Sequence, residues 1–211
     1  MSVEGGRPKK RAFFFAQELS AAHAPFPTWA YIACSASLLG AVATSLLAAP
    51  GLLGVLGGSL AIVMIAIAVV DARLFIIPDS LVLAGLGLGL LQPFMVQSET
   101  FSAAMISSLL RGLALALAFW SLRNVHMWLR KREGIGLGDV KLAAVAGVWL
   151  DWLAIILAVE IAALAALAMV AILAMRGRAI TGETRVPFGC FFAPAIWLAW
   201  LLDIYFLQTV F

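Results

Sequence analysis

The sequence predicts an all-α membrane protein with about seven transmembrane helices. Of its 211 residues, 64% are hydrophobic and only 12% are charged, and the mean hydropathy is +1.07. This composition is far from that of a soluble globular domain. Apolar stretches follow one another along the chain, and most approach the length of about 20 residues that crosses a bilayer. Basic residues cluster at alternate breaks, which is typical of a multi-pass chain.

The apolar stretches divide the chain into a short leader and one transmembrane domain. They are predicted at residues 28–49, 52–70, 81–96, 112–129, 140–150, 152–175 and 188–207. Pro50 and Gly51 separate the first two stretches. Residues 1–27 lack the apolar core of a secretory signal, so we expect a cytoplasmic or interfacial leader there. Residues 28–211 form the expected transmembrane domain.

The charge distribution predicts the orientation. Basic residues precede the first stretch, so the N-terminus is expected in the cytoplasm. The second stretch then returns to the cytoplasmic face at Asp71, and Asp139 follows the basic cluster after the fourth. Residues 140–175 have basic flanks on both sides, so they must cross an even number of times. Two short helices that turn near Asp151 satisfy this requirement.

Two ionisable residues stand away from these clusters. Residues 98–110 could form an amphipathic segment at the outer face, which would place Arg111 at the outer end of the fourth stretch. Glu160 lies inside the sixth stretch. Charges at this depth are costly unless they are paired, so one hypothesis is that Arg111 and Glu160 pair in the outer half of the bundle.

Several classes of protein are disfavoured by composition. The net charge is +3, but no basic domain concentrates this charge as a nucleic-acid-binding protein would require. The basic residues therefore predict contact with membrane lipid rather than with nucleic acid. Cys34 and Cys190 are 156 positions apart in apolar runs, and no Cys-x-x-Cys pattern indicates a zinc site. We therefore expect neither a metal nor a cofactor. The sequence does not predict an oligomeric state.

The strongest functional signal is a pair of aspartates at the edges of apolar stretches. Asp71 ends the second stretch and Asp139 precedes the fifth. Two carboxyls that face each other cannot both ionise easily, which is the electrostatic requirement of an aspartic protease. Each residue also has a structural interpretation. Asp139 could cap a helix, and Asp71 could be a polar helix end paired with Arg73.

The residues beside the aspartates suggest how a site would be built. Gly136 and Gly138 allow a positive φ or a close approach of another chain. Pro78 and Asp79 fit the start of the third helix, where a proline presets φ and a carboxylate caps, so Asp79 is expected to be mainly structural. Lys141 could tune the field of the site or contact lipid phosphate.

A third motif begins the last apolar stretch. Pro187, Phe188 and Gly189 follow Val186 there. Proline and glycine can start and loosen a helix, and they permit unpaired backbone where it lines a cavity at membrane depth.

Three motifs thus follow one another along the chain: Asp71 with Ile77-Pro78-Asp79, then Gly136-Leu137-Gly138-Asp139-Val140-Lys141-Leu142, then Val186-Pro187-Phe188-Gly189. In this order they resemble the type IV prepilin peptidases, a family of Gly-x-Gly-Asp intramembrane aspartyl proteases. The resemblance covers roughly residues 52–209. It implies that Asp71 and Asp139 are catalytic. It also implies that the substrate is a type IV prepilin or a type II secretion pseudopilin, whose basic leader is cleaved at the cytoplasmic face before the apolar helix.

The resemblance is to the short forms of that family. Longer members carry paired Cys-x-x-Cys motifs and methylate the new N-terminus, and this sequence has no such motif. Methyltransferase activity is therefore not implied. Two alternatives stay open. A small transporter or channel subunit would place its carboxylates near the midplane, and a protease similar to signal peptide peptidase would carry Pro-Ala-Leu near its last helices.

Overall fold

A computed structural model describes residues 28–49, 51–95, 101–131, 134–177 and 186–210. The predicted leader at residues 1–27 lies outside these ranges. Within them the chain forms seven helices and no strand, which confirms the all-α prediction. The helices are α1 Thr28–Ala48, α2 Leu52–Leu74, α3 Asp79–Met95, α4 Phe101–Arg130, α5 Leu137–Trp149, α6 Trp152–Met175 and α7 Phe188–Val210. The chain divides after Ala36 into two compact units, Met1–Ala36 and Ser37–Phe211, and both Asp71 and Asp139 lie in the second.

Five of these helices are long and apolar enough to cross a bilayer, namely α1, α2, α4, α6 and α7. The remaining two are shorter, with 17 residues in α3 and 13 in α5. At a rise of about 1.5 Å per residue, 13 residues span only about 20 Å, less than the roughly 30 Å of a hydrocarbon core. The chain is thus a multi-pass membrane protein in which two of the seven predicted spans are short helices.

The predicted turn near Asp151 is confirmed, but the two helices that it joins are unequal. Leu150 is extended, with φ −106° and ψ 152°. The Asp151 carboxylate then accepts a hydrogen bond of 2.8 Å from the Ala154 backbone N–H, which caps α6. The expectation of two short helices is correct for the 13-residue α5 and wrong for α6, which has 24 residues.

The predicted amphipathic segment at residues 98–110 is not a separate element from Phe101 onward. Residues 101–110 are the first ten residues of the continuous α4, because no proline interrupts the helix there. Arg111 donates to the hydroxyls of Ser107 and Ser108, at 3.5 and 3.2 Å, whereas Glu160 is exposed on α6. The two side chains form no ion pair, so the hypothesis that they do is wrong.

Close packing of small residues against aromatic residues holds the bundle together. Helix α2 packs against α3 and α7, and α5 packs against α3, α4 and α7. A β-carbon at Gly57 of α2 would overlap the indole of Trp200 on α7. Trp149 of α5 meets Trp200 edge to face and donates from Nε1 to the Gly85 carbonyl at 2.8 Å. Small residues at such contacts let membrane helices approach closely, which fixes α2, α5 and α7 relative to one another.

Candidate aspartate site

Asp71 lies three residues before the end of α2 and is 5% exposed. Its Oδ2 accepts a hydrogen bond of 2.8 Å from the backbone N–H of Cys190. Cys190 is the third residue of α7, where backbone N–H groups have no partner within the helix. Asp71 therefore caps α7 from a neighbouring helix, and the positive end of the α7 dipole favours its carboxylate.

Asp139 lies in the first turn of α5, ahead of the apolar stretch that begins at Val140. Its Oδ2 accepts from the backbone N–H of Gly136 at 3.2 Å. Burial is the main reason that the pKa of Asp139 is raised to about 6; the hydrogen bond from Gly136 lowers this pKa, and the charge of Asp71 raises it. The effect of Asp71 means that the two carboxyls interact.

Ile77 lies between the start of α5, which carries Asp139, and the start of α7, which Asp71 caps. A β-carbon at Gly138 would lie 3.0 Å from Cβ of Ile77, and one at Gly189 would lie 2.8 Å from Cδ1 of the same side chain. The β-carbon at Gly189 would also lie 2.8 Å from Oδ2 of Asp71. Two glycines thus let the starts of α5 and α7 close around Ile77. This end of the bundle, where Asp71 and Asp139 lie, is called the aspartate end below.

The glycines beside Asp139 act through close approach and not through a positive φ. Gly136 has φ −70° and ψ 151°, and Gly138 does not have a positive φ. Neither glycine has a positive φ, and at Gly138 the close neighbour is Ile77 of the same chain. The close approach of another chain stays a prediction. Helix α5 begins at Leu137 after an extended Gly136, so its start needs no left-handed residue. The restriction at Gly138 is on the size of the side chain, because a β-carbon would meet Ile77.

Pro78 and Asp79 begin α3 as the sequence predicts. The Pro78 carbonyl accepts from the backbone N–H groups of Leu81 and Val82, both at 3.2 Å. Asp79 is the first residue of the helix and forms an ion pair with Lys141 of α5. The side chain of Lys141 is thus held by a protein carboxylate.

The motif that begins the last helix is only partly at the site. Gly189 contacts the Asp71 carboxyl region, as described above. Phe188 instead stacks on Phe192 one turn further along α7, with ring centroids 5.4 Å apart. Pro187 immediately precedes the helix, which agrees with the predicted helix start.

Sequence reasoning missed three contributors to the site. Cys190 stands in an apolar run of the sequence, yet its backbone N–H holds Asp71. Phe75 takes the left-handed conformation, with φ 53°, and ends α2, which redirects the chain toward Ile77. Arg123 donates from Nε to the Ile135 carbonyl at 3.1 Å, just before Gly136. None of these three contributors has a local signal in the sequence.

The positions of the two acids bear on the alternatives. Both lie near helix ends at the same end of the bundle, whereas transport carboxylates typically lie near the midplane beside broken helices. Within the described ranges, no three potential metal ligands cluster together. The fold and site define a class: a multi-pass helical membrane protein with two interacting aspartates at one end.

Comparison with known proteins identifies the family within that class. The profile of the Type IV leader peptidase family matches residues 58–172, more than half of the chain. The chain therefore belongs to this family. The matched range includes both aspartates and the ion pair of Asp79 with Lys141, but it ends before α7.

Individual relatives agree with the family match. Similar proteins include several that are named prepilin leader peptidase/N-methyltransferase. The one from Stutzerimonas stutzeri is 30% identical over 65% of this chain and 46% of its own length. The one from Burkholderia pseudomallei (strain K96243) is 36% identical over 62% and 40%, and that from Aeromonas hydrophila is 30% identical over 76% and 53%. The chain thus spans about half the length of these relatives or less. No solved structure matches.

Proposed function

We propose that this chain is an aspartic endopeptidase that removes the basic leader from type IV prepilins or pseudopilins. Family membership supports the reaction class, since the similar proteins are named prepilin leader peptidases. The observation that carries the proposal is geometric: Asp71 and Asp139 lie at one end of the bundle, next to the contacts of Gly138 and Gly189 with Ile77. Each carboxylate is held by a backbone N–H at the start of a helix.

The proposed chemistry uses one water and one shared proton. One aspartate is ionised and takes a proton from the water, while the other is protonated and hydrogen-bonds the scissile carbonyl oxygen. Water attacks the carbonyl carbon, and the tetrahedral intermediate collapses as the amide nitrogen leaves with a proton from the dyad. The leader gains a carboxylate, the mature pilin gains an amino terminus, and no cofactor is consumed.

We propose that the aspartate end faces the cytoplasm at the inner membrane. The excess of Lys and Arg at this end supports that orientation. Substrate leaders are basic and remain cytoplasmic, so the scissile bond and the dyad would meet on the same side. The apolar helix that follows the scissile bond would remain in the membrane. Residues 1–27 are proposed as a cytoplasmic leader and residues 28–211 as the catalytic membrane domain.

Supporting roles are proposed for the remaining motif residues. Gly138 and Gly189 leave room around Ile77 for the two aspartates to meet. The ion pair of Lys141 with Asp79 ties the starts of α5 and α3 together. Gly136 and Pro78 help to begin the helices that carry the site, and Pro187 and Phe188 begin the helix that Asp71 caps.

The decisive test is cleavage of a defined substrate by the purified protein in lipid nanodiscs. The substrate is a peptide with a short basic leader, a glycine before the scissile bond and an apolar run, and products are measured by mass spectrometry. Asp71→Asn and Asp139→Asn are each expected to abolish cleavage while the protein still inserts. Asp79→Asn should retain substantial activity.

Glu160→Gln supplies the matched control. It also removes one carboxylate, but from an exposed position on α6, so cleavage should be unchanged. Substantial cleavage by either purified Asn variant at the dyad would refute the two-aspartate mechanism. Orientation is tested separately with reporter fusions after residues 131 and 177, which should report the cytoplasm, and after Leu150, which should report the opposite side.

A further inference from the structure

One peptide group connects the last turns of α4 to Asp139. The Ile135 carbonyl accepts from Nε of Arg123 at 3.1 Å. The next backbone N–H, that of Gly136, donates to Oδ2 of Asp139 at 3.2 Å. These two atoms belong to the same planar trans peptide unit, so its C=O and N–H point in opposite directions. A cation and a carboxylate therefore bind its two ends.

We infer that Arg123 is a positioning residue, which fixes and polarises the Ile135–Gly136 peptide so that its N–H holds the Asp139 carboxyl. This inference rests on the proposed function where it concerns catalysis. The hydrogen bond from a guanidinium is charge-assisted and stronger than a neutral one. Hydrogen bonds in series polarise one another, so the positive charge of Arg123 strengthens the donor that Asp139 accepts.

A second contact supports this role for α4. His126 lies one turn beyond Arg123 and covers Gly134, where a β-carbon would lie 2.3 Å from Cε1 of the ring. Arg123 and His126 are three residues apart and thus share a face of α4. This face holds the segment Gly134–Gly136 directly before the helix that carries Asp139. Because α5 begins at Leu137, movement of this segment would move Asp139.

Other titratable groups act near the same carboxyl. The charge of Asp71 on α2 raises the pKa of Asp139, and Cys190 of α7 donates its backbone N–H to Asp71. On the remaining elements are Asp79 of α3, which pairs with Lys141, and His126 of α4. None of these groups bonds the Ile135 carbonyl. Substitution of Arg123 therefore changes a contact to the peptide that the other groups do not make.

The experiment compares Arg123→Gln and Arg123→Lys with the wild-type protein in nanodiscs, with Lys131→Gln as the matched control. Lys131 is an exposed cation just beyond α4, so its loss changes net charge equally. Two measurements are made: hydrogen exchange of the segment 134–139 by mass spectrometry, and the pH profile of kcat/KM for the leader peptide. The first does not depend on activity.

In Arg123→Gln, the backbone amides of the segment 134–139 are expected to exchange hydrogen about tenfold faster than in the wild type. Its kcat should fall by about tenfold with KM nearly unchanged, since a displaced catalytic group lowers kcat. Its pH profile should move upward by roughly half a unit, because the ionised carboxyl loses a stabilising donor. Arg123→Lys, which keeps the charge, should restore part of each effect, and Lys131→Gln should match the wild type.

The outcomes separate the two proposals. If exchange of the segment is the same in Arg123→Gln and the wild type, the positioning role is refuted. If the wild type cleaves and Arg123→Gln keeps its kcat and pH profile, the inference fails while the proposed function stands. If the wild type cleaves nothing but exchange still depends on Arg123, the proposed function fails and the structural link between Arg123 and Asp139 is supported.

Discussion

Gly189→Ala is expected to displace Asp71 with little effect on the fold. The added β-carbon would lie 2.8 Å from Oδ2 of Asp71 and 2.8 Å from Cδ1 of Ile77. Ordinary contact begins at 3.4 Å, so each atom must retreat by about 0.6 Å. Both are terminal atoms of side chains, and rotation relieves the clash. The rotation of Asp71 breaks the 2.8 Å hydrogen bond that the Cys190 backbone N–H donates to its carboxylate.

The magnitudes differ for activity and stability. Overpacking in a tight site costs about 1–3 kcal/mol of unfolding free energy, and side-chain rotation keeps the value toward the lower limit. A misplacement approaching 1 Å at a reacting group costs on the order of 100-fold in rate. We therefore expect kcat for the leader peptide to fall about 10- to 100-fold, while thermal unfolding of the purified protein changes by only a few degrees.

Gly87→Ala is the control for this prediction. Gly87 lies inside α3, and a β-carbon there would have no atom within 4 Å. Alanine is favoured over glycine in a helix interior by about 1 kcal/mol, so stability should be equal or higher and kcat unchanged. The reasoning is refuted if Gly189→Ala keeps the kcat of the wild type. A large loss of stability with folded-state activity intact would contradict it equally.

Two further predictions concern pH and the exposed ion pair. The mechanism needs one protonated carboxyl, and the pKa of Asp139 is raised to about 6. We therefore expect kcat/KM to decline as the pH rises, with a midpoint at or above about 6. A level profile of kcat/KM from about pH 5 to about pH 9 would contradict a proton shared by the dyad. Lys141→Gln should lower the unfolding free energy by less than about 1 kcal/mol, since the side chains of Lys141 and Asp79 are 46% and 69% exposed. Thermal unfolding of this variant, and of the double variant with Asp79→Asn, measures this change.

The helix starts could be predicted from the sequence because their signals are local. Pro78 with Asp79, Pro187 with Phe188, and Asp151 each mark a helix start within one or two residues. Such signals act through backbone geometry and nearby N–H groups. The interpretation of Asp79 as mainly structural agrees with its position at the start of α3, although its ion pair with Lys141 spans 62 positions and left no local signal.

The partners of the aspartates could not be predicted because any residue except proline offers a backbone N–H. Nothing distinguishes Cys190 in this respect from its neighbours in α7. Likewise, the left-handed conformation of Phe75 is uncommon for an aromatic residue, so sequence preference argues against it. These features are set by the packing of α2 against α7, which depends on contacts across more than 100 positions.

The structure also changes the relation between capping and catalysis. The sequence suggested that Asp71 was either a polar helix end or a catalytic group. In the structure Asp71 caps α7 from α2 and would be held in place for catalysis by the same hydrogen bond. Asparagine caps a helix about as well as aspartate and cannot ionise. Asp71→Asn should therefore keep stability and lose activity, whereas Asp71→Ala should lose both. Equal stability of the two variants would show that the contact with Cys190 contributes little to the fold.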